Sequence, residues 1–329
     1  MRGVVGSSKV WANRRNASQP VAQDINIEEL FERASWPVHF RSQEPFPCMV
    51  CECTTQSAGE LIGRRTGRTF HLQRCKLCGF LFVNDPGIDE GEAREDTRPR
   101  DDGLDPDLDL ERQESAKSIR SYEWRGVERV ARHFFPDGGK WIDYGCGTGG
   151  LVKFVSAKGR FQMMGYDKGL WADHARAEGL PILREDELEQ HAGTFDFVTS
   201  INLLERRADP VSELIRIRSL LKPRGVLFFL TSNTACAPKT LNEWSTLQPE
   251  IHVSYFNHVS IKIALERGRF NLQYPPWLPG FSDIVRYRTL RSLGFRKRSL
   301  LEWAIPIRPV ARLLAWKNHL VDYTVGIAR

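Results

Sequence analysis

The chain has 329 residues, 41% of them hydrophobic and 27% charged, a composition typical of a globular protein long enough for two domains. No apolar run reaches about eighteen residues, so no transmembrane helix is expected, and the net charge of +6 permits anionic partners without requiring nucleic acid. The seven cysteines are odd in number and mostly clustered, which favours a reducing cytoplasm over a disulfide framework. No apolar segment follows Arg14-Arg15, so we expect a cytoplasmic rather than an exported protein.

Residues 1–44 predict a partly disordered N-terminal tail with one short helical stretch at Ile27–Arg33. Residues 45–84 then carry two C-x2-C pairs separated by 23 residues, a spacing close to that of a zinc ribbon. Between the pairs, Glu60–Gly63 and Thr69–Gln73 are predicted strands. Four thiolates in this pattern can converge on one Zn²⁺, so the sequence predicts a structural zinc site whose ligands are Cys48, Cys51, Cys75 and Cys78.

Two alternatives stay open for this ribbon. Four unrelated buried cysteines would need no metal, and Cys53 is either a free thiol or an alternative ligand. The basic residues of the ribbon could contact nucleic acid, although a solvated face is the commoner explanation.

Residues 85–112 predict an acidic linker or lid, since the stretch from Asp85 to Glu114 holds thirteen acidic residues against four arginines. The remaining residues, 113–329, are interpreted as one α/β domain. It opens with a predicted helix over Gln113–Phe135, which the turn at Pro136-Asp137-Gly138-Gly139 ends.

A glycine-rich run follows the predicted strand Trp141–Tyr144 and precedes a helical pattern. Glycines at such a strand–turn–helix junction let the backbone approach a ligand closely, and the helix N-terminus adds unpaired N–H groups. The run Gly145-x-Gly147-x-x-Gly150 also satisfies the dinucleotide fingerprint, with Asp167 at the place of the ribose-binding acid. Asp143, two residues before the first glycine, instead suits a ligand that carries an ammonium or sulfonium group.

The later elements alternate between strands and helices, as in an open parallel sheet. The predicted strands are Phe161–Tyr166, Pro181–Leu183, the run from Thr194 to Glu205, Val226–Thr231, Phe270–Tyr274 and Tyr323–Ala328, and the predicted helices are Leu170–Glu178, Asp209–Leu221 and Ser260–Arg267.

From about Tyr122 to Phe270 the chain resembles the class I S-adenosylmethionine-dependent methyltransferases, in particular bacterial types with an N-terminal zinc ribbon. The shared landmarks are DYGCGTGG, GYD, TFDFVTSINLLE, LLKPRGVLFFL, and EIHVSYF from Glu250. The resemblance implies a Rossmann-like seven-stranded sheet whose last strand is antiparallel, with S-adenosyl-L-methionine as cofactor. Two departures are Arg206, where the family often has His, and Arg224, where it often has Gly.

The resemblance also assigns roles to residues. Asp143 and the glycines would hold the methionine end of the cofactor, Asp167 the ribose, and either Glu185 or Asp186 the adenine, while Asn202 would line the methyl channel. His252 is a candidate general base that Tyr255 would assist by orienting the acceptor, although His252 could equally be a loop-packing residue. The full predicted cofactor set is Asp143, Tyr144, Gly145, Cys146, Gly147, Gly149, Asp167, Lys168, Glu185, Asp186 and Asn202.

Residues 275–321 form a basic insertion before the last strand, with helical character. Helices that cap the active site, a homodimer contact and an interfacial membrane helix all fit it, as does a solvated basic face over ordinary core. If it caps the site, an anionic acceptor is favoured. The prediction is therefore methylation of a small, anionic metabolite such as a sugar, a nucleotide-sugar or a natural-product intermediate.

Three other functions remain open at this stage. An RNA methyltransferase would use the ribbon and the basic insertion to bind phosphate. A nicotinamide-dependent oxidoreductase explains the glycines and Asp167 but not Asp143. A non-catalytic scaffold could keep the cofactor fold without transferring a methyl group.

Overall fold

The computed structural model of the chain describes residues 46–63, 66–84, 111, 114, 116–234, 248–273, 279–300, 302, 305–307 and 309, and the backbone of 323–328. The predicted tail, nearly all of the acidic segment, and residues 275–278, 301, 303, 304, 308 and 310–321 of the basic insertion lie outside these residues. Within the described part, no helix is both long enough and apolar enough to cross a membrane.

Eleven strands and seven α-helices are described. The strands are β1 (Thr55–Ile62), β2 (Thr69–Cys75), β3 (Leu81–Val83), β4 (Gly139–Tyr144), β5 (Phe161–Tyr166), β6 (Ile182–Leu183), β7 (Phe195–Ile201), β8 (Leu221–Ser232), β9 (Ser254–Tyr255), β10 (Leu272–Gln273) and β11 (Tyr323–Ala328). The helices are α1 (Arg120–Phe134), α2 (Gly150–Ser156), α3 (Leu170–Ala177), α4 (Glu185–Leu188), α5 (Pro210–Leu220), α6 (His258–Arg267) and α7 (Phe281–Ser292).

The larger sheet has seven strands in the order β10-β11-β8-β7-β4-β5-β6. Strands β6, β5, β4, β7 and β8 are mutually parallel, and β11 runs antiparallel to both β8 and β10. The predicted fold class, with its antiparallel last strand, is therefore confirmed. Some bounds differ, since α1 begins at Arg120 rather than Gln113 and β1 at Thr55 rather than Glu60.

Each central strand buries both faces, because residues alternate between two cores. Along β4, Trp141 joins the core that α1, α2 and α7 cover, while Ile142 joins the core that α5 and α6 cover. Parallel strands end at the same edge, so the segments that follow β4, β5 and β7 meet there. That edge is where open α/β sheets bind ligands.

The smaller sheet, which contains the predicted zinc ribbon, is not confined to residues 45–84. Its strand order is β1-β2-β3-β9, and all neighbouring strands are antiparallel. Strand β9 follows β8 in the sequence, so it lies far from residues 45–84 along the chain. Phe80 of the ribbon packs against Phe256 with ring centroids 5.1 Å apart, within the same core as α5 and α6. The ribbon and the larger domain therefore share one hydrophobic core.

Helices α1 and α7 approach closely through a pair of glycines. A Cβ on Gly126 would lie 2.7 Å from the Gly280 carbonyl oxygen, and a Cβ on Gly280 would overlap the backbone of Gly126. Gly280 has φ +96°, in the left-handed region that disfavours other residues. This contact brings the basic insertion onto the sheet.

We expect Gly126→Ala to lower the free energy of unfolding by about 1 to 3 kcal/mol, because the added methyl group meets backbone that cannot move alone. Arg132→Ala, on the exposed side of the same helix, is the matched control and should change stability by less than about 0.5 kcal/mol. Urea denaturation of the three proteins measures the difference. Equal midpoints would show that the two helices are not in close contact.

Candidate functional site

The loop between β4 and α2 contains three glycines with positive φ: Gly145 at +94°, Gly147 at +52° and Gly149 at +74°. A Cβ on Gly145 would meet Leu203 and one on Gly149 would meet Leu180, but one on Gly147 would meet nothing within 4 Å. The loop therefore packs on the protein at both ends and opens in the middle. Because Gly147 has no side chain and open space beside it, a ligand can approach the backbone closely at this point.

Asp143 is buried immediately before this loop, with 5% of its surface exposed. Its Oδ1 accepts a hydrogen bond from the Thr199 hydroxyl of β7 at 2.7 Å. Burial raises the pKa of the Asp143 carboxyl to about 7, against the lowering effect of the Thr199 hydrogen bond. A buried carboxylate with so little solvation is stabilised by a cation, which is the charge that the sequence predicts for the ligand.

Asp167 follows β5 and lies beside the glycine loop. Its Oδ2 accepts a hydrogen bond from the Gly147 backbone N–H at 2.9 Å, and its Oδ1 accepts one from Gly169 at 3.2 Å. The backbone N–H groups of Gly145 and Cys146 both donate to the Tyr166 carbonyl. The ends of β4 and β5 are thus tied together, and their two aspartates lie at neighbouring strand ends.

Not all predicted cofactor residues present their side chains to this loop. Tyr144 is fully buried, its ring packs on Tyr166 at 4.9 Å, and its hydroxyl donates to Glu213 of α5. Cys146 is buried in the core beneath α2, where burial raises its thiol pKa well above the usual range. Neither side chain is therefore available to a ligand in the loop.

The two candidate adenine acids differ in their contacts. Glu185 accepts hydrogen bonds from the Tyr166 hydroxyl and from Arg216, and lies 3.3 Å from Lys168. Burial would raise the pKa of Glu185, but these partners outweigh it and hold the pKa below its usual value. Asp186 is exposed at the start of α4. The adenine contact therefore stays a prediction for Glu185 and for Asp186.

Asn202 directly follows β7 and adopts the left-handed region, with φ +54°. Its Oδ1 lies 3.4 Å from a guanidinium nitrogen of Arg288 on α7, and the same nitrogen donates to Glu123 of α1 at 2.9 Å. The Glu123 side chain is fully buried and also faces Arg120, 3.3 Å away. The carboxyl edge therefore carries a polar cluster formed by α1 and α7, which the sequence analysis did not identify.

His252 and Tyr255 lie where the ribbon meets the segment after β7. The backbone N–H of Val253 donates to the Glu205 carbonyl at 2.8 Å, which places His252 next to the exit of β7. Tyr255 is fully buried in the ribbon core and its hydroxyl donates to the His252 carbonyl at 2.7 Å. In this arrangement Tyr255 holds the backbone of His252. Their catalytic roles stay predictions.

The four predicted zinc ligands do converge. Their sulfur atoms all lie within 4.8 Å of one another, with Cys48 and Cys78 at 3.7 Å and Cys51 and Cys75 at 3.4 Å. A tetrahedral Zn²⁺ with Zn–S bonds of about 2.3 Å requires sulfur atoms roughly 3.8 Å apart, so the donor set fits the metal in number, type and spacing. Cys53 is not part of this cluster.

Comparison with known proteins adds to this geometry. Residues 116–273 match the family described as a methyltransferase domain. This match covers 158 of the 329 residues, just under half of the chain. The ubiquinone biosynthesis O-methyltransferase of Actinobacillus pleuropneumoniae serotype 7 (strain AP76) is 36% identical over 121 residues, 32% of this chain and 50% of that protein. The enzyme of the same name from Methylococcus capsulatus is 30% identical over 139 residues, 39% of this chain and 56% of that protein.

The chain thus spans about half the length of the curated relatives that it matches. Among solved structures, the plantazolicin methyltransferase BamL, in complex with triazolic desmethylPZN analog and SAH, is 13% identical with a TM-score of 0.42. It covers 67% of this chain and 88% of its own. An S-adenosylmethionine-dependent methyltransferase from Mesorhizobium loti is 17% identical with a TM-score of 0.42. The match covers 63% of this chain and 97% of that protein.

The matched region of the methyltransferase domain includes the glycine loop, both aspartates, Asn202 and His252. The cysteine cluster and Arg288 lie outside the matched residues. The one sequence signal for Arg288 is the surplus of Arg and Lys in the insertion, which does not single out any residue.

Proposed function

We propose that this chain transfers the methyl group of S-adenosyl-L-methionine to a small anionic acceptor. The observation that carries the proposal is the placement of Asp143 and Asp167 at neighbouring strand ends on either side of an open glycine loop. When bound, the cofactor supplies an electrophilic methyl group on a sulfonium. Asp143 would attract the cationic methionine end, and Asp167 would accept hydrogen bonds from the ribose hydroxyls.

The acceptor would lie at the exit of β7, between the loop and the cluster formed by α1 and α7. Arg288 has only 10% of its side chain exposed, so an anion that reaches its guanidinium would bind in a poorly solvated place. Methyl transfer is a displacement in which the protein mainly aligns the reacting atoms. Asn202 and Arg288 would align the acceptor.

His252 is proposed as the base that removes the acceptor proton. A hydroxyl acceptor needs such a group, and the names of the O-methyltransferase relatives support oxygen as the acceptor atom. His252 lies in the segment that Val253 ties to Glu205, beside the end of β7. Histidine is the side chain that most often serves as a general base.

His252→Asn should lower kcat by about 100-fold or more, because general-base assistance typically contributes 10² to 10⁴. Affinity for S-adenosylhomocysteine should stay within a factor of two of the wild type, since His252 is not assigned to the cofactor. His258→Asn, on the exposed first turn of α6, is the matched control. A His252→Asn protein with wild-type turnover would assign His252 to loop packing.

The acceptor can be found by incubating the protein with a fractionated metabolite extract and S-adenosylmethionine that carries an isotopically labelled methyl group. Mass spectrometry should detect the label in a small anionic compound. An RNA fraction run in parallel should remain unlabelled. Label in RNA alone would contradict the proposal.

We also propose that the four clustered cysteines bind one structural Zn²⁺. Four sulfur donors, mostly buried and at tetrahedral spacing, are typical of closed structural sites, which leave no position for a substrate. Elemental analysis of the purified protein should find one zinc per chain. A metal-free protein with unchanged thermal stability would contradict this assignment.

A further inference from the structure

Helix α6 contacts both C-x2-C turns, which we call the first knuckle (residues 48–51) and the second knuckle (residues 75–78). At its start, Asn257 Nδ2 donates to the Cys78 carbonyl at 3.0 Å. At its end, Arg267 donates to the Val50 carbonyl at 2.9 Å and to the Met49 carbonyl at 3.3 Å, and also pairs with Glu52. The accepting carbonyls belong to the first knuckle and to a ligand of the second. One helix thus holds both halves of the cysteine cluster.

The Asn257 side chain also caps α6, and this fixes its position. Its Oδ1 accepts hydrogen bonds from the backbone N–H groups of Val259 at 2.8 Å and Ser260 at 2.9 Å, which caps α6. A Cβ on Gly79 would lie 2.6 Å from Asn257 Nδ2, so the knuckle turn sits directly against the amide. The amide is therefore fixed by the helix and presented to the knuckle.

The opposite side of the ribbon contacts the segment that carries His252. The backbone N–H of Val83 donates to the Val253 carbonyl at 2.9 Å, and the Val253 N–H donates to the Glu205 carbonyl at 2.8 Å. Glu205 is 1% exposed and accepts a hydrogen bond from the Thr231 hydroxyl at 2.6 Å. Val253 thus links the ribbon to the loop after β7, and the Ser254 hydroxyl adds a second link by donating to the Arg207 carbonyl at 2.6 Å.

We propose that Asn257 and Arg267 are positioning residues of the zinc site, and that the bound metal, through the ribbon, holds residues 251–255 against the exit of β7. This inference rests on the proposed zinc site. Groups that hydrogen-bond around metal ligands fix the ligand geometry and typically change metal affinity 10- to 100-fold when removed. The ribbon would then be a required part of the acceptor side of the active site.

The rate of zinc release to a chromogenic chelator tests whether Asn257 and Arg267 position the zinc site. Asn257→Asp keeps the oxygen that caps α6 but replaces the donor to the Cys78 carbonyl with a charged acceptor, so the second knuckle loses this hydrogen bond. Arg267→Gln removes the charge that faces the first knuckle, and Arg267→Lys should restore part of the wild-type rate. Lys262→Gln, on the exposed side of the same helix, is the control. We expect Asn257→Asp and Arg267→Gln to release zinc at least about tenfold faster than the control.

Hydrogen exchange of the full chain tests whether the bound metal holds residues 251–255 in place. Removing zinc with a chelator should raise exchange at residues 204–207 and 251–255 while β4 and β5 keep their protection. Continued protection of residues 251–255, or equal loss of protection in β4 and β5, would overturn the coupling. A purified chain without zinc would overturn the zinc site itself. A zinc-bound chain whose variants release metal at the control rate would overturn only the inference drawn from α6.

Discussion

Asp143→Asn is expected to weaken binding of S-adenosylhomocysteine at least about 30-fold, or roughly 2 kcal/mol, at pH 8. The buried carboxylate would face the ammonium group of the ligand, and the amide keeps the shape and the hydrogen bond from Thr199 while removing the charge. Asp173→Asn removes the same charge from the exposed face of α3 and should bind like the wild type. Isothermal titration calorimetry of the three proteins makes the comparison.

The wild-type affinity should also depend on pH in a defined direction. With a pKa of about 7, Asp143 is largely protonated at pH 6, so binding a cation must release a proton. The dissociation constant should therefore fall as the pH rises from 5.5 to about 7.5 and then level off. In Asp143→Asn this slope should be absent, and a variant that retained it would assign the titration to another group.

The same raised pKa has an opposite consequence for stability. Between about pH 4 and pH 7 the unfolded chain loses the Asp143 proton while the folded chain keeps it, so the free energy of unfolding attributable to this residue decreases as the pH rises. Compared with Asp143→Asn, the wild type should lose stability across that window. Cofactor binding should restore it.

Cys75→Ser is expected to abolish zinc binding and to cause the largest loss of stability of any single change proposed for this chain. Structural zinc sites contribute about 10 to 16 kcal/mol in isolated zinc-finger peptides, and even a fraction of that exceeds the stability of many domains. Cys75 is 2% exposed and belongs to the core that also contains Phe80 and Phe256, so the loss should spread into α6.

Cys53→Ser provides the matched control for this experiment, because Cys53 lies in the same ribbon but outside the four-sulfur cluster. Its zinc content should equal that of the wild type and its melting temperature should change little. Metal analysis and thermal denaturation report both quantities. Zinc retained in Cys75→Ser but lost in Cys53→Ser would show that the ligand set is wrong.

Local patterns were sufficient to predict the centre of the fold. The strand before the glycine loop, the loop itself and the acid after β5 are adjacent or regularly spaced in the sequence, so their placement follows from the sheet topology. The two C-x2-C pairs were likewise predictable, because metal ligands impose spacing on the chain.

Long-range contacts could not be predicted in the same way. Strand β9 is two residues long and has no pattern of its own, yet it completes the ribbon sheet. The pair of Arg288 and Glu123 joins residues 165 positions apart, and only the packing of α1 on α7 brings them together. The sequence also assigned Tyr144 to the cofactor without indicating that its ring points into the core beneath α5.

Titration of the purified chain with S-adenosylhomocysteine, and separately with NADH, tests the central claim most directly. The site geometry predicts saturable heat for S-adenosylhomocysteine that Asp143→Asn strongly reduces, and no saturable heat for NADH. Saturable binding of NADH with none for S-adenosylhomocysteine would contradict the assignment of the glycine loop and its two aspartates to a sulfonium cofactor.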